Sequence, residues 1–348
     1  MPKKVRCLIG FQWLQGKGGS VPRPIHWMHR RSAQGLQRSA PSSCPPTSRN
    51  FDTPMTPQLP FDWLRPQWPA PDHVHALCTT RSGGVSAAPY DCLNLGDHVG
   101  DAPAAVAANR AILQTAVAHI TPSAHAVFLQ QVHGTQVAQL RADRPDMPDG
   151  TCADACTSAS TGQVCTIMVA DCLPVLLTDR QGRAVAGAHA GWRGLAGVGG
   201  TGVLETVFED FCALALEGKA LEAIKRVVNF SSADTAQLAA DTLAWLGPCI
   251  GPEAFEVGAE VRAAFCDHDS AAAVHFQARG AGKYGADLAG LARQRLHALG
   301  ITQVYGNDSS AGWCTVGNAS RFFSHRRDSS SLGASGRMAA CIWLGGRG

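Results

Sequence analysis

The chain lacks an apolar run long enough to cross a bilayer: its best stretch, Val164 to Leu177, is short and is interrupted by Asp171. Charge is also sparse, since Lys, Arg, Asp and Glu make up 16% of the 348 residues. The formal net charge of +3 conceals an asymmetry. Residues 1–54 hold nine Lys/Arg against one acid, Asp52 (net +8), which leaves 21 basic and 26 acidic groups (net −5) for residues 55–348. An acidic body without a basic stripe gives no footing for nucleic acid. No stretch reads as a convincing signal peptide, and no compact disulfide framework is expected, because the 13 cysteines are odd in number and scattered. The expectation is a cytoplasmic protein whose thiols are reduced and mostly buried as small hydrophobes. Zinc-finger, CxxC and HExxH spacings are missing as well, and no internal repeat is visible.

What the chain does contain falls into two parts. Residues 1–54 are rich in Arg, Ser, Pro and Gly and show no sustained period, so they cannot bury enough apolar surface to offset their ordering entropy. A targeting peptide and a disordered tail both fit. The favoured expectation is a reading frame begun too early, with translation starting at Met55; native peptides from before Met55 would exclude it. Residues 58–346 alternate short apolar strands with helices, which predicts a single α/β domain with mixed sheets and helices outside. Strands are expected at Val74–Thr79, Ala126–Gln131, Val164–Ala170 (continued by Pro174–Thr178), Ala184–Ala188, Gln303–Tyr305 and Arg337–Leu344. Helices are expected at Asp101–Ile120, capped by Asp101, and at Gly202–Leu216 and Ala286–Leu299. The polar stretch Glu217–Thr242 is expected outside the core.

Three segments place reactive side chains at strand ends beside turn residues. "FLQQVHGTQV" delivers His133 into a turn, "MVADCLPV" interrupts an apolar strand with Asp171 and Cys172, and "GAHAGWRG" surrounds His189 with small residues. Two imidazoles and a thiolate make a borderline-soft set suited to Zn²⁺, with one position left for water or substrate. The same residues also suit a Cys/His hydrolase with Cys172 as nucleophile, and each has a plain structural reading alone.

The motifs "TTRSGGVSAAPYDCLNLGDHVGD", "QQVHGTQV", "ADCLPVLLTD", "HAGWRG", "WLGPCIGP" and "FFSHRRD…GRMAACIWL" occur in an order that resembles the YfiH-type, laccase-domain family, over residues 75–345. The resemblance implies an α/β sandwich and a metal held by His133, Cys172 and His189. It also implies phosphorolysis of adenosine, inosine, guanosine and methylthioadenosine, with adenosine deaminase activity. The partners expected are therefore nucleoside and phosphate, for a monomer or homodimer. Arg81 and Arg193 are candidates for phosphate, and Asn94 and Gln131 for ribose or base edges. Asp171 is the candidate acid/base, or else the orienter of a ligand histidine. Arg326 and Arg327 either line the cleft or stitch the C-terminus to the sheet.

Competing readings are a copper-dependent polyphenol oxidase, with Met168 as an axial candidate, a peptidoglycan-precursor editing amidase, and a binding module stapled by metal. The 13 histidines are dispersed rather than gathered as a trinuclear copper cluster requires. The loop "PDGTCADACTSAST" resembles an insertion, and its Cys152 and Cys156 read as spare loop thiols or, alternatively, as a second metal site.

Overall fold

The protein is described here by a computed structural model over residues 62–143, 149–223 and 232–346. The expectations for the leader and for a start at Met55 lie outside the described residues. The strands are β1 (Val74–Cys78), β2 (His125–Gln130), β3 (Val137–Gln139), β4 (Thr151–Cys152), β5 (Ala155–Ser158), β6 (Gln163–Val169) and β7 (Leu173–Asp179). They continue with β8 (Val185–Ala190), β9 (Thr242–Leu246), β10 (Glu256–Gly258), β11 (Phe276–Gly280), β12 (Lys283–Ala286), β13 (Gln303–Gly306) and β14 (Met338–Leu344). Helices are α1 (Pro103–Ile120), α2 (Trp192–Ala196), α3 (Val203–Ala223), α4 (Ser232–Asp241), α5 (Ala259–Cys266), α6 (Leu288–Ala298) and α7 (His325–Leu332).

Two mixed sheets form the body, one ordered β1-β14-β6-β2-β4 and the other β13-β9-β7-β8-β5-β3, with a small β10-β12-β11 sheet beside them. The two large sheets face each other. Cys165, Ile167 and Val169 of β6 pack with Leu176 of β7, Val185 of β8 and Trp245 of β9 in one cluster. The alternate residues of β6, Val164 and Met168, point the other way into a cluster with Leu113 and Val117 of α1. On the far side, Leu173, Val175 and Leu177 of β7 meet Val203, Val207 and Phe211 of α3. Strands buried on both faces must be apolar at both parities, which is why these segments read as continuous runs. The result is an α/β sandwich, as expected.

Three local expectations change. The run Val164–Leu177 is not one extended strand: β6 belongs to the first sheet and β7 to the second, and the chain crosses between them at Ala170-Asp171-Cys172. Asp171 makes the break with φ +89°, a left-handed backbone that ends strand pairing. Asp101 does not cap α1. The N-cap is Ala102, while the Asp101 carboxylate accepts from Ala102 N, Ser86 Oγ and Asn94 Nδ2. The polar stretch after Leu216 also contributes to the core, through Leu238 and Ala239 on α4 and the start of β9. Cysteines 78, 156, 165, 172, 212, 249, 266, 314 and 341 are in no disulfide. No helix among the described residues is long and apolar enough to cross a membrane.

Candidate metal centre

The site forms where the two sheets exchange the chain. After β2, the Gln131 side chain clamps β6: its Nε2 donates to Met168 O (2.7 Å) and its Oε1 accepts from Met168 N (2.8 Å). The next residues turn sharply, with His133 at φ +62°. That turn is tied down by the buried Asp154 carboxylate, which accepts from Val132 N (3.2 Å), His133 N (2.8 Å) and Gly134 N (2.6 Å). Cys172 stands one residue before β7. His189 lies opposite Pro174 in the antiparallel β7–β8 pair, so strand register alone brings the second imidazole beside the thiol. The β5–β8 pairing sets Asp154 beside His189 in turn: His189 N donates to Asp154 O (2.7 Å), and His189 Nδ1 lies 2.9 Å from Asp154 Oδ1.

One donor atom from each of His133, Cys172 and His189 lies within 4.8 Å of the others. Cys172 Sγ is 3.6 Å from His133 Nε2, and the two imidazoles meet edge to face at 4.8 Å between centroids. Donors around a tetrahedral zinc stand about 3.3–3.6 Å apart, so a small contraction would close the set on an ion. A cradle of matching shape is present as well. A Cβ on Gly191 would fall 2.8 Å from His133 Cδ2 and 2.9 Å from Cys172 Sγ, so only glycine leaves those side chains their positions. The residues therefore fit a metal ion, and among the described residues they are the sole group of three or more His, Cys, Asp or Glu that does. Cys152 and Cys156 join no such group. Nor do His73 and His75, the chain's one His-x-His spacing: His73 Nε2 pairs with Gly182 O and His75 packs at a tilt against Trp343.

The electrostatics favour a thiolate at Cys172. Burial opposes ionisation of Cys172, yet the His189 and His133 imidazoles outweigh it and lower the thiol to about 6. Burial likewise disfavours a charged His189, but the Cys172 sulfur and Asp154 raise it to about 9. Burial opposes the Asp154 carboxylate too, and the bonds from His189, Gly134 and His133 hold it below its ordinary value.

His133, Cys172 and His189 line a cavity of about 350 Å³, within the usual range for small-molecule sites. Gln131, Met168, Asp171 and Arg193 line it as well. Gln131 does so with its amide already spent on Met168. Arg193 lies over Trp192, 4.4 Å from the ring centroid, and its guanidinium has no hydrogen-bond or ion-pair partner among the described residues. Asp171 accepts from Thr315 Oγ1 (2.6 Å) and Arg326 N (2.6 Å), tying the sheet crossing to the start of α7. The histidine's carboxylate partner is therefore Asp154 rather than Asp171.

Two expected site residues lie apart from the cavity. Arg81 donates to Asp91 O and Ala319 O and packs over Phe323. Asn94 is buried and its Oδ1 accepts from Gly96 N and Arg337 N. Asn94 thus holds the backbone of Arg337, a cavity residue that the motifs did not single out. Arg326 lines the cavity, while Arg327 turns inward to Asp328 and to the carbonyls of Thr315 and Phe322.

Fold and site together define a two-sheet α/β sandwich with a His/Cys/His group at the crossing between its sheets. The chain belongs to the family described as multi-copper polyphenol oxidoreductase laccase, whose pattern spans residues 75–345. A Pseudomonas aeruginosa protein named purine nucleoside phosphorylase is 45% identical over 283 residues, covering 81% of this chain and 98% of that one. Escherichia coli YfiH, also named purine nucleoside phosphorylase, is 45% identical over 279 residues, covering 80% and 97%. A crystal structure of a Neisseria meningitidis protein of the DUF152 group matches with a TM-score of 0.65 at 41% identity, over 82% of this chain and all of that one.

Proposed function

We propose that residues 58–346 form a zinc-dependent purine nucleoside phosphorylase acting on adenosine, inosine, guanosine and methylthioadenosine, which also deaminates adenosine. The observation that carries this reading is one cavity holding both the His133/Cys172/His189 set and the guanidinium of Arg193, which has no hydrogen-bond or ion-pair partner among the described residues. The names of the relatives support it. Zinc held by the three residues would supply Lewis acidity at the cavity floor.

In phosphorolysis the bond from the ribose C1′ to the base nitrogen breaks, a phosphate oxygen bonds to C1′, and the departing base takes up a proton. Arg193 has donors to spare for phosphate and reads it as a planar fork, with Trp192 limiting the positions the guanidinium can take. Asp171 lines the same cavity and is the group assigned to proton movement, held in place by Thr315 and the α7 backbone. Ile250, Phe255 and Met168 supply apolar wall against which a purine can pack. A polyphenol oxidase reading needs several copper ions to deliver four electrons to dioxygen, and the described residues gather one three-ligand group.

Purified protein incubated with inosine and phosphate is expected to release hypoxanthine and ribose 1-phosphate, with His133→Ala inactive. Absence of both products from the zinc-loaded wild type would remove the proposal.

A further inference from the structure

The geometry points to Asp154 as a positioning residue that sets both histidine ligands at once, fixing where the His133 imidazole stands and which nitrogen of His189 faces the metal. The carboxylate is fully buried and divides its two oxygens between two tasks. Oδ2 gathers Val132 N and Gly134 N, and Oδ1 takes His133 N together with His189 Nδ1. Three consecutive backbone N–H groups converging on one anion stabilise the turn that carries His133 at φ +62°. Such a backbone is strained for a residue with a side chain and persists only where its surroundings impose it. The fourth contact requires Nδ1 of His189 to carry the proton, which leaves the Nε2 lone pair for the ion, on the side where Cys172 stands. Asp154 touches neither substrate nor metal in this arrangement and acts through the ligands.

The four donors leave no accommodating place for an amide. In Asp154→Asn, an NH₂ turned toward Val132 N and Gly134 N opposes two N–H groups and loosens the His133 turn. Turned the other way, it donates to His189 Nδ1 and pushes that proton onto Nε2, the nitrogen the metal needs. Either orientation harms the site without changing side-chain volume.

The inference rests on the proposed metal centre but not on the proposed reaction, so the test reads metal first. Zinc affinity of the full chain is measured by competition with a chromophoric chelator, and cobalt is substituted to read ligand-field and thiolate-to-metal absorption. Asp154→Asn is expected to bind zinc about 10–100-fold more weakly and to show a changed cobalt spectrum, at unchanged far-ultraviolet circular dichroism. Asp149→Asn serves as a control, since that carboxylate accepts from Phe128 N on the same stretch and holds no ligand; it is expected to bind zinc as wild type does. Should Asp154→Asn fail to fold, ¹⁵N-histidine NMR of the zinc-loaded wild type provides the second reading, with His189 expected to keep its proton on Nδ1, shifted downfield. Wild-type zinc affinity in folded Asp154→Asn, or a His189 protonated on Nε2, overturns the assignment. A wild type that binds zinc but leaves inosine intact would sink the reaction alone.

Discussion

Gly191→Ala isolates the steric demand of the proposed metal centre from every other contribution. Gly191 has φ −69° and ψ 158°, a backbone that any residue adopts, so the substitution adds no conformational strain. What it adds is one methyl carbon, 2.8 Å from His133 Cδ2 and 2.9 Å from Cys172 Sγ. Ordinary contact begins at about 3.4 Å, so the His133 and Cys172 side chains must each retreat by roughly 0.5 Å. Metal–ligand distances tolerate about 0.2 Å, so that retreat cannot be absorbed at the ion. Forcing a methyl into a filled site costs about 1–3 kcal/mol, which corresponds to roughly 5- to 150-fold in zinc affinity if the strain is released by losing the ion. The assay is chelator competition on the folded variant, with inosine phosphorolysis followed at limiting and saturating zinc. Activity is expected to recover in part as zinc is raised. Gly312→Ala, where a Cβ meets nothing within 4 Å, should leave both readings alone. Wild-type zinc affinity in Gly191→Ala would refute the idea that these two side chains must stand where they do to hold an ion.

Arg193→Ala should raise the KM for phosphate by about 10- to 100-fold while moving kcat less, as expected for lost charge-assisted hydrogen bonds, and Arg193→Lys should restore part of it; an unchanged phosphate KM would clear Arg193 of that role. Arg81→Ala should cost about 1–3 kcal/mol in urea unfolding through its lost bonds to Asp91 and Ala319, with the kinetics of the folded enzyme unaltered; a raised phosphate KM would return Arg81 to the site. In metal-free protein the thiolate absorbance of Cys172 should grow as pH rises through about 6 and fade as it drops below, and His189→Ala should move that midpoint upward because the largest attraction on the thiolate is gone. A midpoint near the ordinary thiol value in the wild type would show that the imidazoles do not act on the sulfur.

The three residues of the His/Cys/His group were legible because each sits inside a short motif at a strand end, where a reactive side chain among small or apolar neighbours stands out. Asp154 was not. It lies between Cys152 and Cys156, and those thiols drew attention that belonged to the carboxylate. Its signal was an acid between two alanines at the entry to a strand, which becomes informative only when β5 is known to pair with β8. Arg337 was hidden for a related reason: its approach to the cavity depends on β14 pairing with β6, residues remote in sequence. Arg81 and Asn94 erred in the opposite direction. Membership in a strong motif marked them, but a motif can be kept for packing as readily as for chemistry, and both spend their polar atoms on backbone.

The crossing between β6 and β7 explains why the site lies where it does. A chain leaving one sheet of a sandwich for the other must turn within a few residues and expose backbone that neither sheet pairs. At Ala170-Asp171-Cys172 that backbone is recovered piecemeal: Asp171 O accepts from Ile250 N, and its carboxylate takes Thr315 and the start of α7. Because three distant segments close around this turn, the crossing gathers Cys172, Asp171 and Arg326 at the cavity. The left-handed residues at Asp171 and His133 are thus two sides of one requirement, a pair of sharp turns that aim a sulfur and an imidazole at the same point. An uninterrupted strand from Val164 to Leu177 would have carried Cys172 away in the plane of a single sheet, and no choice of side chains could then have brought His189 to it through the β7–β8 register.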